Sequence, residues 1–331
     1  MPHVPSAARG AVITGWGAAV PPTVLTNDDL RDRGLDTSDE WIVERTGIRE
    51  RRIIGFRGAP DPNGSTASLS IEAGRRAIEM AGLEPHQIDA LVLATTTPDR
   101  TVPATSVTVQ AGLGLRCGAF DVNAACSGFT YAMVVAHGLI GIGSERVLVI
   151  GTDTLSRITD WEDRNTAVLF ADGSGAVVLE AVEGRGQLRG WDLDADGSAE
   201  EYLYADVGGT MHMEGKEVFR RAVRIMVDSA EKSMKAAGVS AEDIALVVPH
   251  QANVRIIKAA CDRLGIEMDR AAVVLDRTGN TSSASIPLAL ADALDAGRVA
   301  DGDLVLLVGF GAGMTAASTV IEWGGPAADR G

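Results

Sequence analysis

The stretch Phe120-Asp121-Val122-Asn123-Ala124-Ala125-Cys126-Ser127-Gly128-Phe129 governs how the rest of the chain is read. The residues from Gly118 to Val122 predict a short strand, which breaks into small residues and opens a helix running to about Gly138. That order puts Cys126 at or near a helix N-terminus, where unpaired backbone N–H groups and the positive end of the helix dipole favour a thiolate. A thiolate is the better attacking group, so Cys126 is a candidate nucleophile. The same residues also suit a small buried hydrophobe in a tight turn, the commoner fate of a free cysteine. The stretch alone leaves both readings open.

Working outward, Ala90 to Ala94 is a continuous apolar run, as expected of a strand buried on both faces. Ser65 to Ala81 has helical spacing and closes at Gly82, and further helix starts are predicted at Thr26-Asn27 and at Asp36 to Trp41. Ala77 to Leu83 before Ile88 to Val92 is echoed by Ser233 to Val239 before Ile244 to Val248, a glycine-to-glycine offset of 238 − 82 = 156. Arg146 to Gly151 is echoed by Leu304 to Gly309, an offset of 309 − 151 = 158. Two echoes near one offset predict a duplicated α/β chain. Ligands of such sheets sit beyond the carboxyl ends of parallel strands. Cys126 follows a strand in the first half, His250 caps Ala245 to Pro249, and Asn280 follows an expected strand at Ala271 to Leu275.

Composition narrows the class. The 331 residues are 46% hydrophobic and 23% charged, an ordinary balance for one large or two medium α/β units. A net charge of −15 argues against non-specific nucleic-acid binding. Cys117, Cys126 and Cys261 have neither disulfide nor metal-ligand spacing, so no metal and a reducing, cytoplasmic setting are expected. No signal peptide is indicated, and the apolar run near Ala132 to Ile142 is too short to span a bilayer, so no membrane partner is expected. Met1 to Gly10 and Gly325 to Gly331 read as short irregular ends, and His3 and His86 as exposed.

Other segments carry two readings each. A lone histidine such as His250 is more often structural than catalytic. Thr278 to Ser285 fits a turn and helix cap as well as a site for Asn280, and Gly309 to Gly313 fits a plain loop or a close approach to an oxyanion. Lys216, Arg220, Arg221 and Arg224, with Arg255, Lys258 and Arg263, form two basic helix faces, either simply solvated or a docking surface for an acidic partner.

With Cys126, His250 and Asn280 in view, the sequence closely resembles the β-ketoacyl-acyl carrier protein synthase III family of the thiolase-like superfamily. The likeness runs from about Val12 to Glu322 and rests on DTSDEWIVERTGIRERR from Asp36, FDVNAACSGFTYA from Phe120, VPHQANVRI from Val248, GNTSSASIP from Gly279 and GFGAG from Gly309. The resemblance implies an α/β thiolase-like fold of two duplicated βαβαβαββ halves in a layered αβαβα sandwich. The first half, 1–183, would carry the cysteine and the second, 184–331, the histidine and asparagine. It implies a catalytic triad of Cys126, His250 and Asn280, and an oxyanion hole from the backbone N–H groups of Cys126 and Ala312. Coenzyme A contacts would fall on Thr37, Trp41, Arg45, Arg164, Gly215, Phe219, Ala252 and Asn253, with no cofactor beyond the thioester substrate itself. Docking of the carrier protein would use Gln251, Ala252, Asn253, Val254 and Arg255, joined by Arg220 and Lys258.

The implied reaction is decarboxylative condensation of an acyl-CoA primer with malonyl-acyl carrier protein, in a homodimer. Val102, before Pro103, matches the position from which the partner subunit shapes the acyl pocket, and its size predicts tolerance of longer or branched primers. A thiolase would carry a second cysteine in Gly309 to Met314, which has none, and elongating synthases would have histidine where Asn280 stands. An acyltransferase or starter-unit enzyme of a polyketide pathway, a cysteine hydrolase and a non-catalytic CoA-binding scaffold remain as rivals. Leu193 to Met213 is short, so the pocket entrance is expected to differ from the family's usual form.

Overall fold

The computed structural model describes residues 9–56, 59–60 and 64–324; His3 and most of the two irregular ends lie outside that range, while Arg9 and Gly10 open the first strand. The first half holds β1 (Arg9–Ala19), β2 (Ala90–Ala94), β3 (Gly118–Val122), β4 (Arg146–Thr154) and β5 (Asp172–Glu183), bonded in the order β1-β5-β4-β2-β3. The second half holds β6 (Leu188–Ala195), β7 (Ile244–Pro249), β8 (Leu304–Gly311) and β9 (Thr315–Glu322), in the order β6-β9-β8-β7. The first four positions of the two orders match, and β3 has no counterpart strand in the second sheet. In both sheets the inner neighbours β2–β4 and β7–β8 are parallel, and the strand entering each half pairs antiparallel with the strand leaving it.

The helices repeat as well. They are α1 (Asp39–Thr46), α2 (Thr66–Met80), α3 (Thr105–Gly112), α4 (Gly128–Gly141), α5 (Gly215–Ala237), α6 (Val254–Leu264) and α7 (Ser285–Asp295). α2 and α3 cover the outer face of the first sheet, α5 and α6 that of the second, and α4 and α7 lie between the sheets. This is the expected αβαβα sandwich. The middle layer is one core built by both halves, with Val92 and Val149 on one side, Val248 and Leu307 on the other, and Phe129, Met133, Ile286 and Leu290 between. α7 is buried almost all round, as a helix with an apolar sheet on either side must be.

Local sequence accounts for the ends of these elements. Ser38 caps α1 through its bond from Trp41 N–H, Ser65 caps α2, and Asn253 caps α6. Thr26 caps the short helix Asn27–Asp32 with a reciprocal bond from Asp29, as its spacing predicts. Gly82 and Gly238, the repeat's matched glycines, both take the left-handed conformation (φ 66° and 75°) that closes a helix.

One expectation fails. Ala271 to Leu275 is not a strand: it makes a single parallel bridge, Ala271 to Val247, and then enters the short helix Leu275–Thr278. The cause is a side chain. Gln251 Oε1 accepts from Val274 N–H at 2.9 Å and Leu275 N–H at 3.3 Å, while its Nε2 donates to Ala272 and Pro249 carbonyls at 3.0 and 2.7 Å. The carboxamide takes the bonds that a fifth strand would have offered β7.

Candidate active site

Where β3 ends, Asn123 and Ala124 lead into a single 3₁₀ turn, Ala125–Ser127, before α4 begins. Ala125 sits at φ 48°, a left-handed conformation that turns the chain sharply and presents Cys126 to a cavity of about 980 Å³. His250 and Asn280 line the same cavity, 1% and 5% exposed. Both come from the second half: His250 follows β7, and Asn280 is held by the exchange of bonds between its own backbone and Leu169 and Ala171. The three side chains singled out in sequence are therefore brought together.

Small residues let the halves approach. Gly311 is extended, yet any Cβ there would stand 2.6 Å from Cys126 N, so only glycine fits. Ala312 then opens a one-turn 3₁₀ segment, its N–H without a partner inside that turn, and it lines the cavity with Cys126.

Electrostatics bear on the expected thiolate. The Cys126 thiol is pushed up to about 12, chiefly by burial; the Ser282 side chain pulls it down, the charge of Asp153 pushes it up by less, and its own backbone N–H opposes least. Burial thus works against the thiolate that the helix end favours, although Cys126 is part-exposed to the cavity it lines. Burial likewise pushes His250 down to about 3, so its imidazole is neutral. Its Nδ1 lies 2.6 Å from Ser285 Oγ and its ring meets Phe310 edge-on at 5.3 Å. Ser282 N–H donates to Asn280 Oδ1 at 3.0 Å, which fixes the carboxamide with Nδ2 as its free, donating end.

Three residues in this shell were not singled out in sequence. Ser282 and Ser285 were hidden in a segment that reads as a serine-rich cap. Asp153 is fully buried beneath them, taking bonds from Thr95, Thr96 and Thr97 on one oxygen and from Ser283 N–H and Oγ on the other. Its one sequence signal is an acid near the carboxyl end of an apolar strand.

At the cavity mouth Trp41 carries two guanidinium groups, Arg45 at 4.5 Å and Arg164 at 4.6 Å from its ring centre, and Arg164 also bonds the Asp36 carbonyl. Gly215, Phe219, Ala252 and Asn253 line the cavity; Thr37 does not, standing one residue before the Ser38 cap. Asn253 Nδ2 donates to Arg45 O at 2.9 Å, tying α6 to α1 at the rim. Arg45, Arg164, Lys216 and Arg255 outnumber Glu200, the only carboxylate among the lining residues, so the lining is cationic, while Glu44 and Asp36 pair with Arg45 and Arg164 at 3.5 and 3.4 Å. The short segment before Met213 supplies apolar wall from Leu203, Met211 and Met213, in a hairpin that bonds Ile158 O through Met211 N–H.

The expected docking set divides. Gln251 is fully buried in the network described above and Ala252 is 7% exposed, so neither offers an outer surface. Val254 packs over Gly47, and Asn253 has both ends of its amide engaged. Arg255, Lys258 and Arg220 are exposed, the last two paired with Asp262 and Glu217. Val102 is 81% exposed and does not line this chain's cavity. Among the described residues no group of histidine, cysteine and carboxylate side chains is placed to hold a metal ion, and no helix is long and apolar enough to cross a membrane.

Residues 120–197 match the family model for 3-oxoacyl-[acyl-carrier-protein] synthase III, and residues 234–323 match the model for its C-terminal part. The chain is 50% identical to the β-ketoacyl-[acyl-carrier-protein] synthase III of Roseiflexus castenholzii, over 96% of its own length and 99% of the relative's. Among solved structures it is similar to 3-oxoacyl-[acyl-carrier-protein] synthase III from Aquifex aeolicus (43% identity, TM-score 0.90, 95% and 100% of the two chains covered). It is also similar to the priming β-ketosynthase of the R1128 polyketide pathway (34% identity, TM-score 0.89, 98% of each chain). Matched from end to end at this level, and folding into the same layered sandwich, the chain belongs to the 3-oxoacyl-[acyl-carrier-protein] synthase III family.

Proposed function

We propose that the chain is a condensing acyltransferase that joins an acyl-CoA primer to malonyl-acyl carrier protein and so begins fatty-acid synthesis. The observation that carries this is the convergence of Cys126, His250 and Asn280 on one cavity with a cationic lining and a Trp41-bearing mouth. In the first half-reaction Cys126 sulfur attacks the thioester carbonyl, the sulfur–carbon bond to CoA breaks, and the thiol proton leaves with CoA. Sulfur replaces sulfur, so the exchange is near neutral in energy. In the second, the malonyl thioester loses carbon dioxide and the electron pair forms an enolate. His250 Nε2 and Asn280 Nδ2 donate to its oxygen, and no strong base is required. The carbon attacks acyl-Cys126, whose oxyanion lies against the N–H groups of Cys126 and Ala312, and collapse frees the cysteine and the β-ketoacyl-carrier product.

An adenine ring would enter beside Trp41 by displacing one of its guanidinium neighbours, leaving Arg45 and Arg164 for phosphate. Arg255 and its neighbours on α6 would meet an acidic carrier protein. No resident cofactor or metal takes part, and the setting is the cytoplasm. β3 ends the first sheet with an unpaired edge and Val102 is exposed, which together support a homodimer across that edge with Val102 reaching the partner's acyl pocket.

Intact-mass measurement after mixing with acetyl-, isobutyryl- and octanoyl-CoA tests the reading. An acyl adduct on the wild type, absent in Cys126→Ala, is expected, with carbon dioxide released once malonyl-carrier protein is added. No adduct with any primer would favour a CoA-binding scaffold, an adduct without carbon dioxide a plain acyltransferase or hydrolase, and strict preference for acetyl would refute the role given to Val102.

A further inference from the structure

His250 serves an enolate oxygen only when Nε2 carries its proton. A neutral imidazole has one N–H, and whatever bonds the other nitrogen decides which one. Here the other nitrogen, Nδ1, lies 2.6 Å from Ser285 Oγ, with both residues 1% exposed. Ser285 is the first residue of α7, so the positive end of that helix also disfavours a charged imidazole beside it.

The hydroxyl has one further contact, and it settles the direction of the bond. Gln251 N–H donates to Ser285 Oγ at 3.3 Å. Were Nδ1 the protonated atom, Oγ would accept from both neighbours and the buried hydroxyl proton would have no acceptor among its bonds, a costly arrangement. With the hydroxyl donating to Nδ1 and accepting from Gln251, every group is satisfied and the ring proton is left on Nε2.

We propose that Ser285 is a positioning residue that holds His250 in the Nε2–H tautomer by donating its hydroxyl to Nδ1. This rests on the condensation reading given above. It completes a division of labour within one segment: Ser282 N–H orients Asn280, and Ser285 Oγ orients His250. Both donors to the enolate are thereby aimed by the turn that opens α7. The nucleophile's attack on acyl-CoA needs neither, so Ser285 belongs to the second half-reaction.

Two measurements test it. In protein labelled with ¹⁵N-histidine, His250 is expected to show a protonated Nε2 and bare Nδ1 from pH 6 to 9, with the signal assigned by its loss in His250→Gln. A protonated Nδ1 in the wild type would overturn the proposal without any substitution in its path. In Ser285→Ala, the enzyme is first acylated on Cys126 and then given malonyl-carrier protein. Decarboxylation in that single turnover is expected to fall about 10- to 100-fold, with KM for the carrier substrate changed less than about twofold and the His250 signal split between tautomers. Decarboxylation within about twofold of wild type, or an unchanged tautomer, would overturn it. Failure of the wild type to form an acyl enzyme would instead remove the parent reading, and the nitrogen spectrum would still decide the tautomer.

Discussion

At the residue, the site is a balance between desolvation and placement. The Cys126 thiol is pushed up to about 12 by burial, against the pull of the helix end. Its reactivity with a small alkylating agent is therefore expected to climb about tenfold per pH unit from 7 to 9, with no plateau, since the thiolate fraction does so below the pKa. Rates measured against Cys126→Ala, which corrects for Cys117 and Cys261, check this. A plateau near neutral pH would mean that the turn's N–H groups outweigh burial. The neutral thiol is compatible with catalysis, because acyl-CoA brings a leaving sulfur that takes the proton. His250, neutral for the same reason, suits donation from one nitrogen rather than service as a general acid.

Elements show how far the residues could be read without coordinates. β2 and β3 have the bounds that their sequences predict, and the helices capped by Thr26, Ser38 and Ser65 begin within the stretches where helix starts are expected. Cys126, His250 and Asn280 were legible because each follows an apolar run at a turn of small or polar residues. Ala271 to Leu275 misled because a short apolar run looks alike whether a neighbouring strand or a side chain takes its N–H groups. The sequence cannot show that Gln251 reaches across to do so, nor that the same act buries Gln251 away from any carrier protein. Gln251→Ala is expected to lower unfolding free energy by about 1–3 kcal/mol through unpaired buried groups. Arg255→Glu, on the exposed side of α6, is expected to leave stability alone and to raise KM for the carrier substrate several-fold. Denaturant titration and steady-state kinetics on both variants separate the two roles.

Across the whole molecule, acid is the condition to which buried imidazoles are sensitive. Desolvation pushes the part-exposed His137 down to about 4 and the buried His250 to about 3, whereas unfolded histidine takes its proton near 6.5. Between those values the unfolded chain binds more protons, so stability falls as pH drops, by up to about 1.4 kcal/mol per unit for each ring. Asp172 acts oppositely: burial raises it to about 6 in the fold, so the native state takes up that proton first. Two rings against one carboxyl leave a net loss, and urea midpoints are expected to decline from pH 6.5 to 4. His137→Phe should flatten part of that decline; an unchanged slope would show that this ring titrates normally.

The middle layer has a further consequence. Since α4 and α7 are each wrapped by strands of both halves, either half produced alone would turn its share of the apolar middle layer to water. Each fragment is expected to precipitate by itself, and the pair, synthesised together as a severed chain, to reassemble into one soluble particle that melts in a single step.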